Sequence, residues 1–281
     1  MKTTLTQLLV HLDASPQAAQ RLEAACRIGQ AHAAAVTGLY AVTPSFVALP
    51  FAPEVGPGVA AALREIDDEL RTRARAAFDR VLAKPGMQAQ AAWAEVGDDP
   101  IIGVFAQQAL YADLLVLGQH DPASTPATGV PVDFAESVMV ASGKPALILP
   151  YIGVSSSIGD TVVLAWKPTR EAARAVSAAL PMLQRARRVH VLSWSGADEA
   201  VSGQRLDLDS YLKLHGVKAT WHRETGAPEL LGELLLSRAF DLEADLLVMG
   251  CYGHSRAREW VLGGTSRTVL QSMTLPVLMA H

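Results

Sequence analysis

Short apolar runs alternate along this chain with longer, Ala-rich stretches. The runs are Gln7–Leu12, Ala35–Val42, Gln88–Val96, Ala112–Gly118 and Pro145–Pro150, then Thr161–Ala165, Val189–Trp194, Val217–Arg223, Ala244–Gly250 and Pro276–Ala280. Continuous apolar runs of this length predict strands buried on both faces of a parallel sheet. Between them the pattern predicts helices over Pro16–Ala33, Gly58–Ala83, Pro100–Tyr111, Phe134–Gly143, Thr169–Gln184, Arg205–His215, Pro228–Asp241 and Gly264–Met273. Strand–helix alternation with parallel strands gives a doubly wound α/β fold. Ligands of such sheets sit outside the carboxyl ends of the strands, so the residues after each strand matter most.

The pattern also repeats. Residues 112–118 read Ala-Asp-Leu-Leu-Val-Leu-Gly and residues 244–250 read Ala-Asp-Leu-Leu-Val-Met-Gly. Residues 8–22 lie over residues 162–176, and Trp93, Gly97 and Pro100 have counterparts in Trp221, Gly226 and Pro228. Each half closes on a proline followed by an apolar run, at Pro145 and at Pro276. The order is the same in both halves, which points to a tandem duplication. The Gly/Ser-rich join at Tyr151–Gly159 divides the chain into expected domains 1–152 and 158–281.

Composition narrows the function. The chain has 281 residues, enough for two cores, with 50% hydrophobic and 19% charged positions, a globular balance. A formal charge of -4 argues against nucleic acid as a default partner. Cys26 and Cys251 form neither a disulfide framework nor a zinc motif. The N-terminus is a poor signal peptide, and the best membrane candidate, Val138–Val154, is broken by Gly143, Lys144, Pro145 and Pro150. The expectation is a cytoplasmic protein in a reducing compartment.

One loop carries candidate chemistry. After the fourth strand of the second half come Gly250, Gly253, Gly263 and Gly264, then Thr265 and Ser266 at the start of a helix. Glycines allow close backbone approach to a ligand. Thr265 or Ser266 is a natural helix cap, and the amides of that first turn form an anion site. The same glycines also suit a plain turn with an ordinary cap. Cys251, His254, Arg256 and Arg258 lie in the same loop. The arginines suit phosphate or solvent, and the cysteine suits packing or redox chemistry.

Other enzyme signatures are missing. There is no Walker-type loop, dinucleotide fingerprint, nucleophile elbow or zinc-protease motif. Asp67-Asp68 and Asp98-Asp99 are adjacent in sequence, so their side chains diverge and make poor acid–base pairs.

The glycine loop resembles that of the universal stress protein family, whose nucleotide-binding members carry Gly-x2-Gly-x9-Gly-(Ser/Thr). Gly250, Gly253 and Gly263 match its spacing, while Gly264 stands at the Ser/Thr position and Thr265 follows. The resemblance implies two tandem Rossmann-like domains, each a five-stranded parallel sheet of order 3-2-1-4-5. It also implies that the fifth strands, Pro145–Pro150 and Pro276–Ala280, meet edge to edge in an intramolecular pseudo-dimer. Two chains could pair further.

It further implies an ATP site, with magnesium, and an Asp at the end of the first strand near adenine. Asp13 matches that position in the first half, but Lys167 replaces it in the second. The first half has Asp121 and Val132-Asp133 where the phosphate loop should be, and these acids repel phosphate. A nucleotide is therefore expected in the second half only, held by Gly250, Gly253, Gly263, Gly264, Thr265 and Ser266. The reading is a stress-response binding or signalling module with an unidentified protein partner. The alternatives are a weak ATP-hydrolysing enzyme and a ligand-free interaction scaffold. The Pro-rich segment 43–58 reads as a surface loop or a lid.

Overall fold

The computed structural model describes residues 4–45, 47, 56–87, 91–97, 100–123, 129–154, 157–194, 206–224, 230–251 and 264–281. Gly253, His254, Arg256, Arg258 and Gly263, and most of the Pro-rich segment, lie outside the described residues. The chain forms two compact units that divide between Lys144 and Pro145.

The first unit holds β1 (Gln7–Leu12), α1 (Pro16–His32), β2 (Ala35–Tyr40), α2 (Pro57–Leu82), β3 (Ala91–Glu95), α3 (Ile101–Ala109), β4 (Leu114–Gly118) and α4 (Phe134–Ser142). Its strands run parallel in the order β3-β2-β1-β4. The central pair β1 and β4 is buried almost throughout, as a sheet covered on both faces requires. β3 is half-exposed along its length. That explains why its apolar run is the least distinct in the sequence.

The second unit begins with β5 (Ala146–Leu149) and continues through β6 (Thr161–Trp166), α5 (Arg170–Leu183), β7 (Arg188–Trp194), α6 (Leu208–Leu214), β8 (Thr220–Glu224), α7 (Leu231–Asp241), β9 (Leu246–Gly250), α8 (Thr265–Ser272) and β10 (Val277–Ala280). Its strand order is β5-β10-β9-β6-β7-β8. The five strands of the second repeat give the expected 3-2-1-4-5 order, all parallel. β5 pairs antiparallel with β10, Ile148 opposite Val277, so the two fifth strands do meet edge to edge. This pairing covers an edge that would otherwise be open to association.

Helix starts follow from local chemistry. Pro16 stands at the first position of α1, where its missing N–H costs nothing. Thr169 caps α5, its hydroxyl accepting from Ala172 N at 3.3 Å. Asp207 caps α6 by accepting from Ser210 N at 2.6 Å. Among the described helices none is long and apolar enough to cross a membrane.

The repeated Ala-Asp-Leu-Leu-Val acquires a physical meaning. Asp113 accepts from Thr6 N at 2.7 Å, Thr6 Oγ1 at 2.5 Å and Gln7 N at 3.0 Å. Asp245 accepts from the backbone N–H groups of Gly159, Asp160 and Thr161 at 3.0–3.1 Å. Each aspartate thus pins the start of its repeat's first strand to the start of the fourth. These are the amino ends of the strands, opposite the ends where ligands bind, so the most visible repeat in the sequence is structural. Burial pushes the Asp113 carboxyl up, but the hydrogen bonds from Thr6 and Gln7 outweigh it and hold the group below the usual range. Asp245→Ala leaves three amides without their acceptor and is expected to cost about 2 kcal/mol of stability. Urea unfolding of the variant checks this, and an unchanged midpoint would contradict it.

Candidate functional site

In the second unit β6, β7 and β9 end around one cavity of about 190 Å³. Trp166 and Lys167 follow from β6, Trp194 from β7, and Gly250 and Cys251 from β9. Thr265 and Ser266 enter from the first turn of α8. Glycine is required at Gly250, because a Cβ there would lie 2.5 Å from Ala172 N and 2.7 Å from the carbonyl carbon of Glu171. The first turn of α5 therefore rests directly on the end of β9.

The cap of α8 differs from the expectation. Gly264 is the N-cap, with extended backbone (φ -57°, ψ 151°), and it supplies no capping side chain. Thr265 and Ser266 are instead the first helical residues, and both reach the cavity. The opening of α8 thus brings backbone amides and the Thr265 hydroxyl to the same space, the arrangement that suits an anion. Trp194 adds a further donor: its indole Nε1 is buried and has no hydrogen-bond partner among the described residues. Among the described residues Glu171 is the one carboxylate lining this cavity, and it accepts from Arg170 Nε at 2.5 Å, which offsets its charge. Lys167 is exposed at the rim. Cys251 is buried, its N–H donating to the Ala280 carbonyl at 3.0 Å. No group of three or more His, Cys, Asp or Glu is placed to hold a metal among the described residues.

The equivalent place in the first unit is filled from within. Only about 60 Å³ remains, and Arg21 lines it. Arg21 comes off α1 and lies buried, 3.0 Å from Asp13 Oδ2 through Nη2, while its Nε donates to the His11 carbonyl at 3.0 Å. A Cβ on Gly118 would be 2.6 Å from the guanidinium, so the arginine lies flat against the end of β4. Asp13 is further committed to Ser15, accepting from its N–H at 2.9 Å and from its hydroxyl. Burial opposes the Asp13 charge, but Arg21, His11 and Ser15 outweigh it and bring the carboxyl down to about 2.

His11 is buried between Phe105 and Phe134, with ring centroids 5.7 and 4.3 Å away. Its Nε2 donates to the Ala41 carbonyl at 2.8 Å. Burial first, and Arg21 second, pull its pKa down to about 4 against the pull of Asp13, so the ring is neutral. Asp121 accepts from Gln17 Nε2 at 3.1 Å and Asp133 from Ser137 Oγ at 2.7 Å. Carboxylates thus stand where the second unit presents hydroxyls and amides.

Comparison with known proteins agrees with this fold. The model of the universal stress protein family matches residues 160–281. Residues 160–281 are a universal stress protein domain. Over its whole length the chain shares the fold of a universal stress protein from Archaeoglobus fulgidus DSM 4304. That match has a TM-score of 0.70 and 16% identity, covering 99% of this chain and 96% of the other. A functionally unknown protein from Pseudomonas aeruginosa PAO1 is similar at a TM-score of 0.57 and 15% identity, covering 98% and 92%. No curated protein matches the chain.

Of the site residues expected from sequence, Gly250, Thr265 and Ser266 line one cavity of the universal stress protein domain, and Gly264 caps the helix that carries two of them. Gly253 and Gly263 are not among the described residues. Sequence reasoning missed Trp194, and it missed the roles of Arg21 and His11. The signal for the last two was present: in the alignment of residues 8–22 with 162–176, Arg21 stands over Ala175 and His11 over Ala165.

The buried cluster makes the first unit acid-sensitive. An unfolded histidine takes its proton near 6.5, while His11 in the fold resists until about 4. Between these values the unfolded chain binds more protons, so stability is complete above about pH 6.5 and declines as pH falls toward 4. Asp13 adds a second loss between 3.8 and about 2. His11→Gln is expected to flatten the decline between pH 7 and 5 in urea unfolding; an unaltered slope would contradict it. Asp13→Ala strands the Arg21 charge and is expected to cost about 3–5 kcal/mol at neutral pH, read in the same experiment.

Proposed function

We propose that the chain is a tandem stress-response binding module, with domains 1–152 and 158–281, whose second domain takes an adenine nucleotide. The observation that carries this is the convergence of donors on one cavity. The start of α8, the Thr265 hydroxyl and the buried Trp194 N–H all border the same space. A group of donors of this kind asks for an acceptor-rich, anionic ligand. Trp166 and Trp194 offer aromatic surface for a base beside it. Magnesium would arrive on the nucleotide phosphates, keeping most of its water shell.

Lys167 replaces the aspartate that the family resemblance places near adenine, and its charge at the rim suits a phosphate chain better than a base amino group. The first domain, with Arg21 packed against Gly118 and Asp13 already paired, is read as non-binding. Binding without turnover is the expected behaviour, with the nucleotide serving as a signal to a protein partner.

Thr265→Asp is the discriminating variant. An acidic residue in the first turn favours the helix itself but repels a phosphate beside it. Isothermal titration with ATP and magnesium should show saturable binding to the native protein, weakened about tenfold or more in the variant, equivalent to about 1.4 kcal/mol. Equal affinity for both proteins, or no heat with either, would contradict the proposal.

A further inference from the structure

A second, larger cavity lies in the first unit where β2 and β3 end against α2. It measures about 540 Å³ and shares no lining residue with the Asp13–Arg21 pocket. That volume lies within the range of small-molecule sites, about 300–1,000 Å³. Its apolar lining comes from Val42, Pro44, Val47 and Val96, and its charged lining from α2 and the end of β3.

Tyr40, the last residue of β2, is the key observation. It lines the cavity, is 6% exposed and stacks on Trp93 with ring centroids 5.7 Å apart. Its hydroxyl is buried and has no hydrogen-bond partner among the described residues. Buried hydroxyls are ordinarily satisfied, so this one marks a place where a polar group from outside belongs.

The charges around it specify the sign. Asp67, Asp68 and Glu95 set three carboxylates against the guanidinium groups of Arg64 and Arg71. Arg71 is committed to Asp68 and lies 3.6 Å from Glu95. Glu95 also accepts from Trp93 Nε1 at 2.7 Å. Asp67 is different: it accepts from Ser45 N at 3.0 Å and from Ser45 Oγ at 2.6 Å, both neutral donors. Among the described residues no cation pairs with it. The adjacent acids at 67 and 68 thus diverge, one toward Ser45 and the other toward Arg71. Burial, then the charge of Asp67, pushes the Tyr40 phenol up to about 12, and Arg71 only partly opposes this. The field at the hydroxyl is therefore negative on balance.

We infer that this cavity binds a small organic amine, its ammonium between Asp67 and the Tyr40 hydroxyl and its apolar body against Val42, Pro44, Val47 and Val96. The ammonium N–H groups donate to the Asp67 carboxylate and to Tyr40 Oη, giving the carboxylate a cation and the phenol oxygen a donor. This site stands independently of whatever the second domain binds.

The test is isothermal titration of the full chain with n-pentylamine, n-pentanol and pentanoate, which share one apolar body and differ in head group. The amine is expected to bind saturably and the other two not. Asp67→Asn keeps an acceptor for Ser45 but removes the charge, and should weaken amine binding about tenfold or more. Tyr40→Phe should weaken it by a smaller factor, about threefold. Circular dichroism of both variants establishes that they fold. Tighter binding of pentanoate would overturn the inference in favour of an anion held by the arginines. Absence of amine binding, or undiminished binding to folded Asp67→Asn, would overturn it as well.

Discussion

In each repeat the end of the fourth strand must pass close to the helix that follows the first strand. Gly118 and Gly250 mark this approach: a Cβ at either would come within 2.6 Å of a neighbouring atom. In the second unit the neighbour is the backbone of Glu171 and Ala172, and in the first it is the guanidinium of Arg21. The contact brings the carboxyl ends of the strands level with the helix starts, the place where doubly wound sheets bind ligands. Everything proposed about the site depends on what stands beside that glycine.

The two repeats therefore share a scaffold and differ at one end of it. At the amino ends of the strands the repeats agree: Asp113 and Asp245 clamp equivalent backbone amides, and the constraint is purely structural. At the carboxyl ends they diverge. Arg21 fills the first site and neutralises Asp13 there, whereas Ala175, its counterpart in the alignment of the repeats, is too short to do so. A buried pair of this kind adds little to stability beyond what well-packed apolar side chains supply, but removing one partner is severe. That asymmetry makes the closed site hard to reopen by single substitutions at Asp13.

Much of the fold was legible because the repeat supplied its own check. Ten strands were expected, and ten are present among the described residues in the anticipated places. The boundaries slipped where burial is partial. β8 begins at Thr220 and α6 spans only Leu208–Leu214, both in half-exposed parts of the second unit where apolar periodicity is weak. The site was legible in part. Of the glycine loop, Gly250 and Gly264 are described, and the hydroxyls of Thr265 and Ser266 stand just beyond the Ser/Thr position of the family spacing, which Gly264 occupies. Arg21 was not legible, because an arginine on an amphipathic helix ordinarily reads as part of the solvated face. Trp194 and Tyr40 escaped for a related reason: aromatic residues at strand ends read as core. Only the packing shows that their polar atoms are buried without partners among the described residues.

The central claim is that one repeat is open to a nucleotide and the other is closed by its own arginine. A crystal structure of the full chain grown with ATP and magnesium tests it most directly. The account predicts nucleotide density against Thr265, Ser266 and Trp194, with the Arg21–Asp13 pair intact and nothing bound beside it. Nucleotide touching Asp13 or displacing Arg21 would contradict it.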